Sequence, residues 1–363
     1  QSSYATGNVS SSPAKGPSGI TGGLIGRNEG IIINTSATGD ISGSTVGGLI
    51  GLNQGTNSLI NDSYATGTVF GSKGGGLVGT NSGTVRSSYA TGDISVSGND
   101  AGGLTGENDR EAVVSNSYAV GNVSGSDNVG GLVGVQFNGT IRSSYAVGNV
   151  SGLDEVGGLL GYNDGTVRLS YSRSNISGST GVGGLIGNNR ATVTKSYAIG
   201  TVSGSRQVGG LIGREFTNSI VKHSYWDTVA TTQSRSANGT GLTTIEMTGT
   251  AASTNMSGLP FGTVWSISNS YPRLKWQDNN KNNKSVSTPG DLTANGQVAK
   301  DIDNDGLYED INGDGNANLR DLQPFFATVQ PSTPTPSTMA LDFNGDGTVD
   351  LRDLQPFFTK VQP

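Results

Sequence analysis

A short block, Gly-Gly-Leu-(Ile/Val)-Gly, recurs along the chain with small variations, and its spacing constrains the fold more than any other feature. Its leucines are Leu24, Leu49, Leu77, Leu104, Leu132, Leu159, Leu185 and Leu211, so successive copies lie 25, 28, 27, 28, 27, 26 and 26 residues apart. A second block, Ser-Tyr-Ala-x-Gly, runs in phase with it through Tyr4, Tyr64, Tyr89, Tyr118, Tyr145, Tyr171, Tyr197 and Tyr225, with Ser36 in the tyrosine place of one copy. A third, Val/Ile-Ser-Gly, falls at Val123, Val150, Ile176 and Val202. Each unit reads as three short β segments separated by glycine-rich corners. A unit of ~27 residues cannot bury a core alone, but it can close one turn of a coil and stack on the next.

The expected fold is therefore all-β, a three-sided β-solenoid of about 8–9 coils, rising ~4.8 Å per coil to roughly 40 Å. Stacking would place Val46, Val129, Val156, Val182 and Val208 in one interior column. Asn28, Asn53, Asn81, Asn108, Asn163 and Asn189 would form an amide ladder, with Gln136 and Glu215 each replacing Asn once. Proline agrees, since none occurs between Pro17 and Pro260. Stacked coils need their backbone N–H groups for one another.

Composition narrows function. The chain has 363 residues, no cysteine, one histidine and 59 glycines, the last about twice the usual share. No disulfide, Cys-ligated zinc or thiol nucleophile is available. With His223 alone, an HExxH zinc site is excluded. The net charge of −6 argues against nucleic acid as a partner, and no apolar run reaches the ~20 residues of a membrane helix. No signal segment opens the chain, and Gln1 is compatible with processing.

The unit Gly-Gly-Leu-Ile-Gly-x-Asn-x-Gly-Thr-Val-x-x-Ser-Tyr-Ala-x-Gly-x-Val-Ser-Gly resembles the GLUG repeat of bacterial and archaeal surface proteins, over residues 1–229. Ser224-Tyr225-Trp226-Asp227-Thr228, Gly241-Leu242-Thr243-Thr244 and the stretch Trp265 to Trp276 resemble the ending that follows such arrays, so 230–276 is read as an aromatic cap. Some GLUG proteins are IgA-cleaving metallopeptidases; their zinc motif needs two histidines, so that activity is not expected here.

Residues 277–300 read as linker, and 301–363 as a separate acidic module with eleven acids and three bases. Asp342, Asn344, Asp346, Asp350 and Asp353 occupy positions 1, 3, 5, 9 and 12 of a calcium loop, with Gly347 at 6 and the Thr348 carbonyl at 7. Asp310, Asn312, Asp314, Asn316, Asn318 and Asp321 repeat the pattern 32 residues earlier, with Gly315 at the turn. Such spacing converges the oxygens a hard cation requires. A third loop, Asp301, Asp303, Asp305, Leu307 and Glu309, overlaps the second through Asn312 and reads either as an abutting site or as an acidic lead-in. Two Ca²⁺ sites are thus expected, and a third is open. Aspartate at position 12 and the short segment after each loop resemble type I dockerin modules, which implies a cohesin-like scaffold partner. Pro324 and Pro356 fall where a longer dockerin helix would continue.

The remaining candidates are weaker. Asp40 with Asp93, and Asp127 with Asp154, share repeat positions but read as solvated rungs rather than a polysaccharide-cleaving pair. Arg86, Arg142, Arg168 and Lys222, with Lys195 one place on, form a basic column that faces either solvent or an anionic glycan. Asn8, Asn34, Asn61, Asn122, Asn138, Asn149, Asn175, Asn238, Asn255 and Asn283 each begin an N-glycosylation triplet. The expected function is a non-enzymatic extracellular or cell-surface structural protein. It would be a calcium-stabilised subunit of a filament, sheath or layer that self-associates head to tail through an incomplete first coil. The alternative is an adhesin or carbohydrate-binding rod whose dockerin-like tail docks on a scaffold protein.

Overall fold

The structure, a computed structural model, describes residues 3–11, 19–109, 111–267 and 269–280. The chain divides into two compact units, 1–272 and 273–363. Of the second, residues 273–280 are described and include the helix Lys275–Asn280.

The first unit is a parallel β-solenoid of about eight coils. Every strand pairing between coils is parallel and joins equivalent residues. Tyr64 pairs with Tyr89, Val78 with Thr105, and Arg142 with Arg168. The strands are more finely divided than three segments per turn. One coil contains Tyr89–Ala90, Ile94–Val96, Ala101–Gly102, Thr105–Asn108 and Val113–Ser115. The extra breaks fall at the glycine blocks. There the next coil approaches too closely for a side chain: a Cβ on Gly103 would lie 2.0 Å from Gly131 O and 2.8 Å from Ala119 Cβ.

Alternation along these strands sends every second side chain inward, and the inward ones build two apolar columns. One contains the repeat leucines, from Leu49 to Leu211, with Val85, Val114 and the alanines that follow the tyrosines. The other contains Ile41, Val69, Ile94, Val123 and Val150 with Val46, Val129, Val156 and Val182. Stacking buries them almost completely, so a low apolar content is enough.

One rung breaks the pattern. Thr105 stands in the column otherwise filled by Ile50, Val78, Val133 and Leu160, and its hydroxyl is buried without a hydrogen-bond partner. Thr105→Val keeps the shape and removes that polar atom. It is expected to raise stability by about 1 kcal/mol, read as a higher midpoint in urea at unchanged slope.

Polar columns close the corners. The asparagine ladder runs in one direction: Asn28 Nδ2 donates to Asn53 Oδ1 (2.7 Å), Asn53 to Asn81 (2.7 Å) and Asn81 to Asn108 (2.8 Å). Asn108 continues to Gln136 (3.1 Å), Gln136 to Asn163 (2.9 Å) and Asn163 to Asn189 (2.7 Å). The backbone sets this direction. Gly83 N–H donates to Asn81 Oδ1, and Asn81 Nδ2 donates to Gly83 O, both at 3.2 Å. At the next rung after Asn189 stands Glu215, which accepts from Ser219 Oγ and from Asn238 Nδ2 (3.2 Å).

A serine column, absent from the sequence reading, does equal work. Each Ser before the tyrosine donates its hydroxyl to a carbonyl two residues back and accepts the serine N–H of the preceding coil. The residue before each of these serines is left-handed, from Asp62 (φ 50°) and Ser87 (φ 50°) to Lys195 (φ 55°) and His223 (φ 50°).

The last coil is covered. Trp226 replaces the repeat alanine opposite Ala198 and donates its indole N–H to Gln233 O at 3.0 Å. Ser236 Oγ accepts from Leu211 N–H (3.3 Å) and Ile212 N–H (2.9 Å), and Thr240–Leu242 pairs with Tyr225–Asp227. Two short helices, Thr244–Met247 and Gly249–Asn255, follow. Trp265 is fully buried, 5.4 Å from the Tyr197 ring and 5.9 Å from that of Tyr171.

Candidate functional site

All proposed calcium ligands, from Asp301 to Asp353, lie outside the described residues, as does Asn283. Among the described residues no group of three or more His, Cys, Asp or Glu could hold a metal, and no helix is long and apolar enough to cross a membrane.

The carboxylates weighed as catalytic are used in stacking. Asp40 Oδ1 accepts Thr68 N–H at 2.9 Å and Asp93 Oδ1 accepts Asn122 N–H at 2.7 Å, each across one rung. Asp127 and Asp154 are in register on adjacent coils, with Thr180 next. His223 is exposed in its left-handed position, and a Cβ on Gly258 would lie 2.2 Å from its Cγ, so the cap packs against the ring.

Two acidic groupings were not read from the sequence. Asp227 is fully buried, yet each oxygen is satisfied. Oδ1 accepts the N–H groups of Val229 (2.7 Å) and Ala230 (2.8 Å), and Oδ2 accepts the hydroxyls of Thr244 (2.7 Å) and Tyr271 (2.5 Å). Burial first, and then the bond to Asp227, push the Tyr271 phenol well above its ordinary value. This carboxylate ties the last coil to the cap and has no free lone pair directed to a substrate. The Ser-Tyr-Trp-Asp run was the available signal for it. The second grouping is Lys73, which pairs with Glu107 and, at 3.5 Å, with Asp100. Lys73 and Asp100 share one repeat position on adjacent coils, held by Thr45 in the coil before, and Glu107 comes from another, so no single block revealed them.

The tyrosines form a stack on the outer surface. Ring centroids from Tyr64 to Tyr197 are 4.9–5.0 Å apart and nearly parallel. Burial, and then the neighbouring Tyr64, push the Tyr89 phenol up to about 12, so it stays protonated at neutral pH. Tyr171 and Tyr197 are buried beneath the cap, and Tyr197 OH donates to Pro272 O at 2.5 Å.

Among the glycosylation triplets, Asn8, Asn34, Asn138, Asn149, Asn175, Asn238 and Asn255 are exposed and Asn122 is half-buried. Asn61 is buried: its amide donates to Asp62 (2.5 Å) and accepts from Arg86 Nε (2.9 Å), bonds a glycan there would have to break. In the basic column, Arg86, Arg142, Arg168 and Lys222 are exposed and Lys195 is half-buried.

The GLUG motif matches residues 18–42 and 42–69, and the dockerin type I domain matches residues 308–356. The second match contains every ligand position of the two clean calcium loops and begins after Asp301, Asp303, Asp305 and Leu307. No curated protein matches the chain. A solved structure from Bacteroides ovatus, named provisionally as an immunoglobulin A1 protease, aligns at 19% identity over 68% of this chain and 70% of its own, with a TM-score of 0.34. The chain is a GLUG-repeat protein that carries a dockerin type I domain.

Proposed function

We propose that this chain is an extracellular, non-catalytic rod held on a cohesin-type scaffold by a calcium-loaded dockerin module. The observation that carries this reading is the dockerin match over residues 308–356. Its oxygen donors fit calcium by their chemistry: carboxylates and side-chain amides at alternate positions around a glycine turn. In this reading Asp310, Asn312, Asp314, Asn316, Asn318 and Asp321 hold one ion. Asp342, Asn344, Asp346, Thr348, Asp350 and Asp353 hold another, and Asp301, Asp303, Asp305, Leu307 and Glu309 supply the lead-in. Bound calcium would neutralise much of the acidic tail and order it. Residues 277–300 act as the linker between rod and module.

A self-associating filament is the second reading. Ile31 and Ile33, 65% and 44% exposed, offer it an apolar surface. The cap works against head-to-tail stacking, because it covers part of the opposite end. Capture of the full chain from solution by an immobilised cohesin in calcium, and its release by EGTA, would support the scaffold reading. Absence of capture by a panel of type I cohesins, together with calcium-dependent fibres in electron micrographs, would replace it with the filament.

A further inference from the structure

Parallel stacking sets each side chain one rung, ~4.8 Å, from its counterpart. That suits leucine, asparagine and tyrosine, but like charges directly opposite one another are destabilising. Arg142 and Arg168 are nevertheless in register on adjacent coils, and Lys222 follows in the same column after Thr194. Lys195 is adjacent to Thr194 in sequence. None of these four cations is in an ion pair among the described residues, where the pairs are Arg27–Glu29, Lys73–Asp100 and Lys73–Glu107. Arg86, further along the column, differs: Ser115 separates it from Arg142, and its Nε is bonded to Asn61.

The strip beside these cations is hydroxylic. Thr140 and Thr166 stand in register two residues before Arg142 and Arg168, and Thr192 two before Thr194, while Ile220 takes that place before Lys222. Alternation puts these threonines and the cations on the same outer face, while Ile141, Val167 and Val193 point into the core. The nearest acid in sequence is Asp164, which is half-buried beside Phe137 in register. The surface is thus a line of cations without ion pairs, interrupted at Thr194 and edged by hydroxyls beside Arg142 and Arg168.

We propose that this column binds an extended uronic-acid polysaccharide lying along the rod, its carboxylates on Arg142, Arg168, Lys195 and Lys222. The proposal deepens the scaffold-borne reading by naming what the rod holds. Charge complementarity selects a polyanion, and the threonine column matches a chain with hydroxyls between its carboxylates. A neutral glycan would leave the cations unpaired.

The test uses the full chain in affinity electrophoresis through polygalacturonate, a neutral β-glucan and dextran sulfate. Retardation by polygalacturonate is expected, weakening as salt is raised. Arg142→Gln/Arg168→Gln/Lys222→Gln should weaken it by about tenfold or more. The triple variant should unfold at no lower temperature than the parent, because it removes like-charge contacts. It should also keep cohesin capture, which separates a failure of this site from a failure of the scaffold reading. Absence of retardation by polygalacturonate, equal retardation of the variant, or retardation by dextran sulfate alone would overturn the proposal.

Discussion

Asp310→Ala combined with Asp342→Ala is expected to abolish capture by a cohesin while leaving the solenoid folded. In the proposed module each aspartate stands at position 1 of a calcium loop and would supply a charged oxygen that alanine cannot replace. Calcium binding and folding of such a module are one equilibrium. Ligand present at 1,000 times its dissociation constant contributes about 4 kcal/mol of stability, and this is lost when the ligands are lost. The loss should therefore be near-complete rather than graded, and EGTA should reproduce it in the unmutated chain. Calorimetry supplies the check. The double variant should lose the calcium-dependent transition and keep the calcium-independent one of the coils. Capture that survives both the double substitution and EGTA would remove the dockerin reading.

Asn108→Asp is expected to be among the most damaging single-atom changes in the solenoid, costing about 3 kcal/mol or more. Asn108 is fully buried, accepts from Asn81, and donates to Gln136 Oε1 and Ala112 O. A carboxylate keeps the first bond and loses both donations, so two buried oxygens then face a negative charge. Glu215 shows where the ladder accepts an acid: on the rung after Asn189, where it takes hydrogen bonds from Ser219 and Asn238. The sign of the pH dependence follows. Burial opposite oxygen atoms raises the folded-state pKa of the introduced acid, so the protonated form is the one tolerated. The variant should be least impaired at low pH and lose stability as pH rises. Urea titrations at several pH values would measure this. A variant as stable as the parent at neutral pH would show that the ladder contributes little.

The fold was legible because repetition transmits it. A column of leucines at a period near 27 residues has few ways to be buried other than coil on coil. The aromatic residues of the cap were visible as a break in that period. The carboxylates Asp40 and Asp93 were read as rungs, and the N–H groups they accept across a rung were not foreseen. Asp227 could not be read this way: its four partners come from Val229, Ala230, Thr244 and Tyr271, spread over more than forty residues and following no repeat. Lys73 is similar: of its carboxylate partners one coil away, Asp100 shares its repeat position and Glu107 does not.

By itself, the sequence determined the parallel solenoid, its period and its inward columns. These are properties of residue type at fixed spacing, and in-register stacking copies spacing directly into space. Only the tertiary structure decided the direction of the amide ladder, the division of each coil at its glycines, and the closure of one end around Asp227. Each depends on which atoms of different turns meet across a rung, and that is settled by backbone geometry rather than by the order of residues along the chain.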